Sequence, residues 1–320
     1  MNRRLVKIKD VLERLYEKYN HRDCIKPDPL QFVYRYSEPA DMEVAGLLSA
    51  VLAYGRVQQI EKDLNDLFSR MGASPYAFVL DFDKAHRKKL ISFKHRFTTG
   101  QDISDLLSIL KKVLQEKGSI EKLFLSRYSR DDENIIPALS RFCDSLYEIY
   151  SKEKGRKVSR GLKYLLASPA AHLGGASRSP RGSACKRLNL FLRWMVRDDE
   201  VDTGLWKGVD KAKLIVPVDV HIGRLCRILG FYPVRSNLGK SAQPPSMRIS
   251  NGAHAQKTVS LSTAVQITKS FSKIEPSDPV KYDFALSRVG ITEGCNGKYN
   301  LRCNACELVD FCHEGTKRIY

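Results

Sequence analysis

Residues 213–231 read KLIVPVDVHIGRLCRILGF, and the fold of this 320-residue chain is best approached from them. An apolar run, Leu214-Ile215-Val216, stops at Pro217, and a single carboxylate, Asp219, then stands directly before a helical pattern. Ile222, Leu225, Cys226 and Leu229 recur at i, i+3, i+4 and i+7, and Gly230 closes the run. Asp219 therefore sits where an N-cap belongs. There it accepts backbone N–H bonds and faces the positive end of the helix dipole, so it stays ionised. Such a residue is either a plain helix cap or a fixed anion aimed at a cleft.

Working outward, the same helical grammar repeats on both sides. SACKRLNLFLRWMV (183–196) predicts a helix with an apolar face at Leu188, Phe191, Leu192 and Met195, ended by a solvated acidic cluster, Asp198-Asp199-Glu200. Residues 168–183, rich in Ser, Gly, Pro and Ala, read as loop. Beyond Phe231, residues 233–257 carry four Lys or Arg and no acid and read as a flexible insertion. A helix resumes at 260–271, and another is expected from Asp278 as N-cap, with Pro279 at N1, to Gly290. At the start of the chain, Leu5, Ile8, Leu12, Leu15 and Tyr19 predict an amphipathic helix, followed by a turn at Pro27-Asp28-Pro29. A buried helix carries VAGLLSAVLAY from near Asp41, breaks at Gly55-Arg56, and is followed by VQQIEKDLNDLFSRMG. Further helical patterns lie at 75–82, 102–115, 119–128 and 135–150, with no sustained alternation that would argue for a sheet. The fold class is all-α, and the short connections suggest a compact helical barrel or bundle.

Net charge is +18, and residues 151–240 hold 19 Lys or Arg against 7 Asp or Glu, so +12 of the excess lies there. That imbalance points to an anionic partner, nucleic acid first and an acidic membrane surface second. The N-terminal helix is charged throughout and does not read as a signal peptide. The longest nearly apolar run, Val44 to Tyr54, is too short to cross a bilayer, so no membrane span and a cytoplasmic location are expected. Cys24, Cys143, Cys185 and Cys226 are scattered singly, as in a reducing compartment.

The other four cysteines, Cys295, Cys303, Cys306 and Cys312, follow C-x7-C-x2-C-x5-C within eighteen residues. Thiolates this close bind a tetrahedral metal or a four-iron cluster. Zinc usually draws on two Cys-x2-Cys knuckles and only one is present, which favours a [4Fe-4S] cluster over the alternative, zinc. In either case the group is read as structural, cross-linking a terminus with little core of its own. The loop after Cys295 carries Lys298 and Arg302, suited to a phosphate backbone.

Several of these stretches carry a resemblance. LLSA at 47–50 looks like the early helix of the helix–hairpin–helix DNA glycosylase superfamily. Residues 186–192, KRLNLFL, are similar to its K-x-x-N-φ-φ-L helix, and 217–221, PVDVH, resemble its V-D-T-H segment. Leu286-x3-Gly290 with the cysteine spacing is similar to the iron–sulfur loop of its endonuclease III and adenine-glycosylase branches, with one residue more between the first two cysteines. SACKRLNLFLRWMVR, VDVHIGRL and DPVKYDFAL look most like a bacterial group of glycosylase-like proteins. There are departures. The hairpin that should read close to L-P-G-V-G is Ser179-Pro180-Arg181-Gly182-Ser183, and the glutamine often found after LLSA is Val51. The 33 positions between Lys186 and Asp219 exceed those in endonuclease III and resemble the archaeal 8-oxoguanine glycosylases.

The resemblance implies a two-lobed all-α protein. Residues 25–205 would form a helical barrel, and 1–24 with 206–320 a cluster lobe, with a cleft between. It implies a monomeric base-excision DNA glycosylase at the nucleoid, with AP-lyase activity if its lysine acts, working on double-stranded DNA. Asp219 would stabilise the sugar's positive charge and Lys186 would attack C1′. Arg181, Gly182, Arg187, Arg56, Lys298 and Arg302 would contact DNA, with Tyr54 or Arg56 filling the gap left by a flipped base. Taken alone, His221 reads as a helix-start histidine, Trp194 and Trp206 as core, and Cys185 as a buried thiol. Two other classes compete: a non-catalytic iron–sulfur nucleic-acid-binding protein of the same fold, and a zinc-stabilised partner-binding protein.

Overall fold

The structure is a computed structural model that describes residues 2–155, 157–169, 184–232, 259–299 and 301–312. Arg181, Gly182 and the insertion 233–257 lie outside the described residues. The regular structure of the described chain is almost entirely helical. Its longer helices are α1 (Arg3–Tyr19), α2 (Pro39–Val51), α3 (Val57–Met71), α6 (Gly100–Lys117), α8 (Ile136–Lys154), α10 (Lys186–Val196) and α12 (Leu261–Ser272). Shorter ones are α4 (Pro75–Leu80), α5 (Lys84–Leu90), α7 (Ile120–Leu125), α9 (Arg160–Leu165), α11 (Val220–Ile228) and α13 (Asp283–Ile291). None is long and apolar enough to cross a membrane.

Two helices organise the middle of the chain. From Asp41 to Val51, α2 is buried at every position except half-buried Met42, as its run of small and apolar residues dictates. It packs against α4, α10 and the 3₁₀ turn Pro29–Arg35. Gly46 allows α10 to approach, since a Cβ there would stand 2.9 Å from the Met195 side chain. Glu43, a buried carboxylate of α2, is matched by three donors. It accepts the Ile120 and Glu121 amides at the start of α7 and the Trp206 indole N–H. The other organiser, α6, touches α4, α5, α7, α8 and α9. It starts on a Thr99–Asp102 capping box and ends at Gly118 in the left-handed region.

At the other end of the sequence, α1 lies along α13, and α13 along α11. The first helix buries Ile8, Leu12, Leu15 and Tyr19 of the stripe its periodicity predicts, together with Val11, while Leu5 is half-buried. One hydrophobic core runs through both groups of helices. Between them lies a buried ionic seam. From α10, Arg193 pairs with Asp202 and with Asp283 of α13, while Arg197, the residue after α10, pairs with Asp199, Asp202 and Asp278. The Tyr16 hydroxyl of α1 donates to Asp199 at 3.0 Å.

The seam corrects two readings of the sequence. Asp199 is not part of a solvated cluster. Its carboxylate bonds the Val201 and Asp202 amides and pairs with Arg197, while its neighbours Asp198 and Glu200 remain exposed. Asp278 does not cap a helix. Its carboxylate binds the Arg197 Nε at 2.9 Å, and α13 begins only at Asp283. A further feature escaped the helical pattern: an antiparallel hairpin of two-residue strands, β1 (Lys94–His95) and β2 (Thr98–Thr99).

Candidate active site

A cleft of about 900 Å³ brings the two residues expected to act together. It is lined from both ends of the chain: by Pro27-Asp28-Pro29 and residues after α2, by the starts of α10 and α11, and by α13. Asp219 is the N-cap of α11. Its Oδ1 accepts the amides of His221 (2.8 Å) and Ile222 (2.9 Å), which leaves Oδ2 directed to Lys186 Nζ at 3.5 Å. Burial by itself would raise this carboxyl. The charge of Lys186 and the two capping amides outweigh it and hold Asp219 below the usual carboxylate range. The cap and the fixed anion are thus one residue using two different oxygens.

Lys186 breaks two local rules. It is the first residue of α10, where the positive end of the helix dipole disfavours a cation. The residue before it, Cys185, has φ 49° and offers no side-chain cap. A non-glycine residue in the left-handed region costs of order 1–3 kcal/mol, and such strain collects at functional sites. Here it aims a one-third-exposed amine at a carboxylate that is 21% exposed. Cys185 itself is buried, and burial pushes its thiol up to about 12, the inert behaviour expected of it.

The remaining expected residues divide. Arg187 is half-buried between the rings of Tyr54 (5.1 Å) and Tyr164 (4.6 Å), and its guanidinium donates to the carbonyls of Val51 and Tyr164. These donors are turned toward the protein, and Arg187 forms part of the cleft wall. Arg56 is exposed immediately before α3, beside the cleft-lining Gly55 and Val57. Lys298 is exposed, and Arg302 is exposed with Nη1 3.2 Å from the Thr292 carbonyl. Trp194 and Trp206 are core, as expected. His221 lines the cleft, with its Nδ1 buried and unpartnered.

Cys295, Cys303, Cys306 and Cys312 line one small cavity, walled by Leu225 and Ile228 of α11 and by Leu308 and Val309. Among the described residues no three His, Cys, Asp or Glu side chains converge as ligands of a single ion. The loop is tied to α11 by Arg224, whose Nη1 donates to the Cys295 carbonyl at 2.7 Å. So α11 meets the cleft at its first turn and the cysteines at its later turns.

Two cleft features were not read from the sequence. Asp283 and Arg193 form a buried pair in the cleft wall, and burial, with Asp219 and Asp202 nearby, raises Asp283 to about 6 despite Arg193. An acid and an arginine 90 positions apart give no periodic signal. The other is the hairpin tip, Arg96-Phe97, whose strands are too short to show alternation.

A family model described as a protein of unknown function (DUF2400) matches residues 28–292. The match includes Lys186 and Asp219 and ends before the first of the four clustered cysteines. No curated protein and no solved structure matches the chain.

Proposed function

The chain belongs to the DUF2400 family, and from its cleft we propose that it is a base-excision DNA glycosylase with AP-lyase capability. The observation that carries this reading is the Lys186–Asp219 pair, an amine and an ionised carboxylate 3.5 Å apart in a cleft of about 900 Å³. Small-molecule sites occupy roughly 300–1,000 Å³, so a flipped nucleoside fits. Breaking an N-glycosidic bond leaves positive charge on the sugar, and Oδ2 of Asp219 offers a fixed anion to it. In the lyase route the Lys186 amine gives up a proton and bonds to C1′ as the C1′–N bond breaks. The base leaves with the electron pair and is protonated. Ring opening then yields a Schiff base, and elimination of the 3′ phosphate cuts the strand. The base has to leave the stack first, at a cost of a few kcal/mol offset by binding.

On this reading the protein works in the cytoplasm at the nucleoid, as a monomer on double-stranded DNA. Cys295, Cys303, Cys306 and Cys312 would hold a [4Fe-4S] cluster. The donor set fits: four thiols line one small apolar cavity, and four thiolates are the ligands such a cluster takes. Bound there, the group would cross-link the C-terminal segment to α11.

The test is borohydride trapping on duplexes carrying oxidised or deaminated bases, with Lys186→Ala and Asp219→Asn as controls. Wild type should give a covalent adduct that Lys186→Ala abolishes. No adduct and no base release across a broad lesion panel would leave a protein that binds nucleic acid without cutting it.

A further inference from the structure

Among the described residues, Phe97 is an exposed aromatic on a hydrogen-bonded hairpin. It is 71% exposed at the tip of the β1–β2 hairpin, on the rim of the cleft. Most exposed apolar side chains sit on mobile or unremarkable surface and need no explanation. This one stands on a braced support. His95, fully buried in β1, bonds Asp63 through Nδ1 (2.7 Å) and the Tyr54 carbonyl through Nε2 (3.0 Å). The Tyr54 hydroxyl in turn bonds the His95 carbonyl (2.9 Å) and Thr98 Oγ1 (2.7 Å), one on each strand. Gly55, at φ +105°, lets the hairpin close down, since a Cβ there would lie 2.8 Å from the Arg96 side chain.

Tyr54, a sequence-based candidate for filling a vacated stack, is therefore spoken for: it braces the hairpin that presents Phe97. Around Phe97 the rim combines aromatic, apolar and cationic groups. Tyr164, 40% exposed, lies edge-on at 6.3 Å, and the Arg96 guanidinium is 5.3 Å from the Phe97 ring. Lys163 is exposed and lines the same cleft, as do Val220 and Ile291, which expose apolar surface. Rings beside cations on a chain of net charge +18 match the two parts of a nucleic acid, bases and phosphates.

We propose that Arg96-Phe97 is a DNA-insertion element: the Phe97 ring stacks against a base exposed by unstacking, and Arg96 meets the adjacent phosphate. Apolar wedges act this way by entering a base step and holding it open. This rests on the reading of the cleft as a DNA site, but not on catalysis there.

The test uses the full-length protein and a duplex with one tetrahydrofuran abasic site, compared with the same duplex intact. Trp194 and Trp206 are buried, so a tryptophan introduced by Phe97→Trp reports on the hairpin tip. Its emission should be quenched by the abasic duplex. Phe97→Ala should bind that duplex about tenfold or more weakly, Phe97→Tyr should retain wild-type affinity, and thermal stability should be unchanged in all three. If wild type binds the abasic duplex while Phe97→Ala matches it and the Phe97→Trp emission does not move, the insertion element is wrong and the DNA site stands. If wild type binds neither duplex, and the Phe97→Trp emission shifts with protein concentration instead, both fail and the tip is a surface for a second copy of the chain.

Discussion

Asp219→Asn and Asp219→Ala separate the two jobs of one carboxylate. Asparagine caps a helix about as well as aspartate, so Asp219→Asn should keep the bonds that Oδ1 accepts from His221 and Ile222. What it loses is charge. At 3.5 Å and an effective dielectric of ~20, the attraction to Lys186 is roughly 5 kcal/mol. With Lys186 about one-third exposed, solvent screening reduces the net contribution to ~1 kcal/mol or less. Alanine removes the cap as well, worth ~1 kcal/mol more. Melting should therefore fall by roughly 2 °C in the asparagine variant and roughly 4 °C in the alanine variant. On the proposed mechanism base release should fall by about 10²–10³ in both, because each lacks the anion that would face the sugar. Calorimetry and single-turnover cleavage on the lesion that wild type processes measure the two effects. The reasoning is refuted if the asparagine variant cleaves within tenfold of wild type, or melts as low as the alanine variant.

Other expectations follow from the same geometry. Since the folded-state pKa of Asp219 is lowered, its stabilising contribution is full above the unfolded value near ~4 and is lost as pH falls through the folded value. The stability gap between wild type and Asp219→Asn should hold from pH 7 to 5 and close in stronger acid, read by urea midpoints. Asp283, raised to about 6, behaves oppositely: between pH ~4 and 6 the folded chain keeps a proton that the unfolded chain releases. Its share of stability therefore declines as pH rises through that window, and Asp283→Asn should remove that slope. Arg193→Met leaves Asp283 buried without its cation and Asp202 with Arg197 alone, and should cost about 3–5 kcal/mol in denaturant unfolding. Protein purified without air should be brown, with roughly four irons per chain, and Cys303→Ser should bleach it. Colourless protein with stoichiometric zinc would remove the iron–sulfur assignment.

What the sequence displayed well was periodic or local. The stripe of α1, the buried run of α2 and the cap at Asp219 all follow from spacing within one element, and all are present. What it hid was long-range. Asp278-Pro279 has the local form of a helix start, but Arg197, 81 positions away, takes the carboxylate. Asp199 sits in an acidic triplet that reads as surface until Tyr16 and Arg197 arrive from elsewhere. The setting of Arg187 was equally hidden, because Tyr54 and Tyr164, which enclose it, belong to other elements. The β1–β2 hairpin offers only two residues per strand, too few for alternation to register. Lys186 and Asp219 were paired through resemblance, since nothing in their spacing of 33 positions brings them within 3.5 Å.

The ionic seam has a bearing on how variants of this protein should be interpreted. Lys186 is anchored to the helices that pack on α2, and Asp219 to α11, which leans on α13 and the cysteine loop. The 3.5 Å gap between them works as a gauge of alignment between two assemblies, and Arg193–Asp283 and Arg197–Asp278 are the bolts that set it. A substitution at Arg197 or Asp278, neither of which lines the cleft, can silence it while every group inside it is intact. Such a variant should regain function in conditions that stabilise the folded chain, whereas a variant of Lys186 or Asp219 should not.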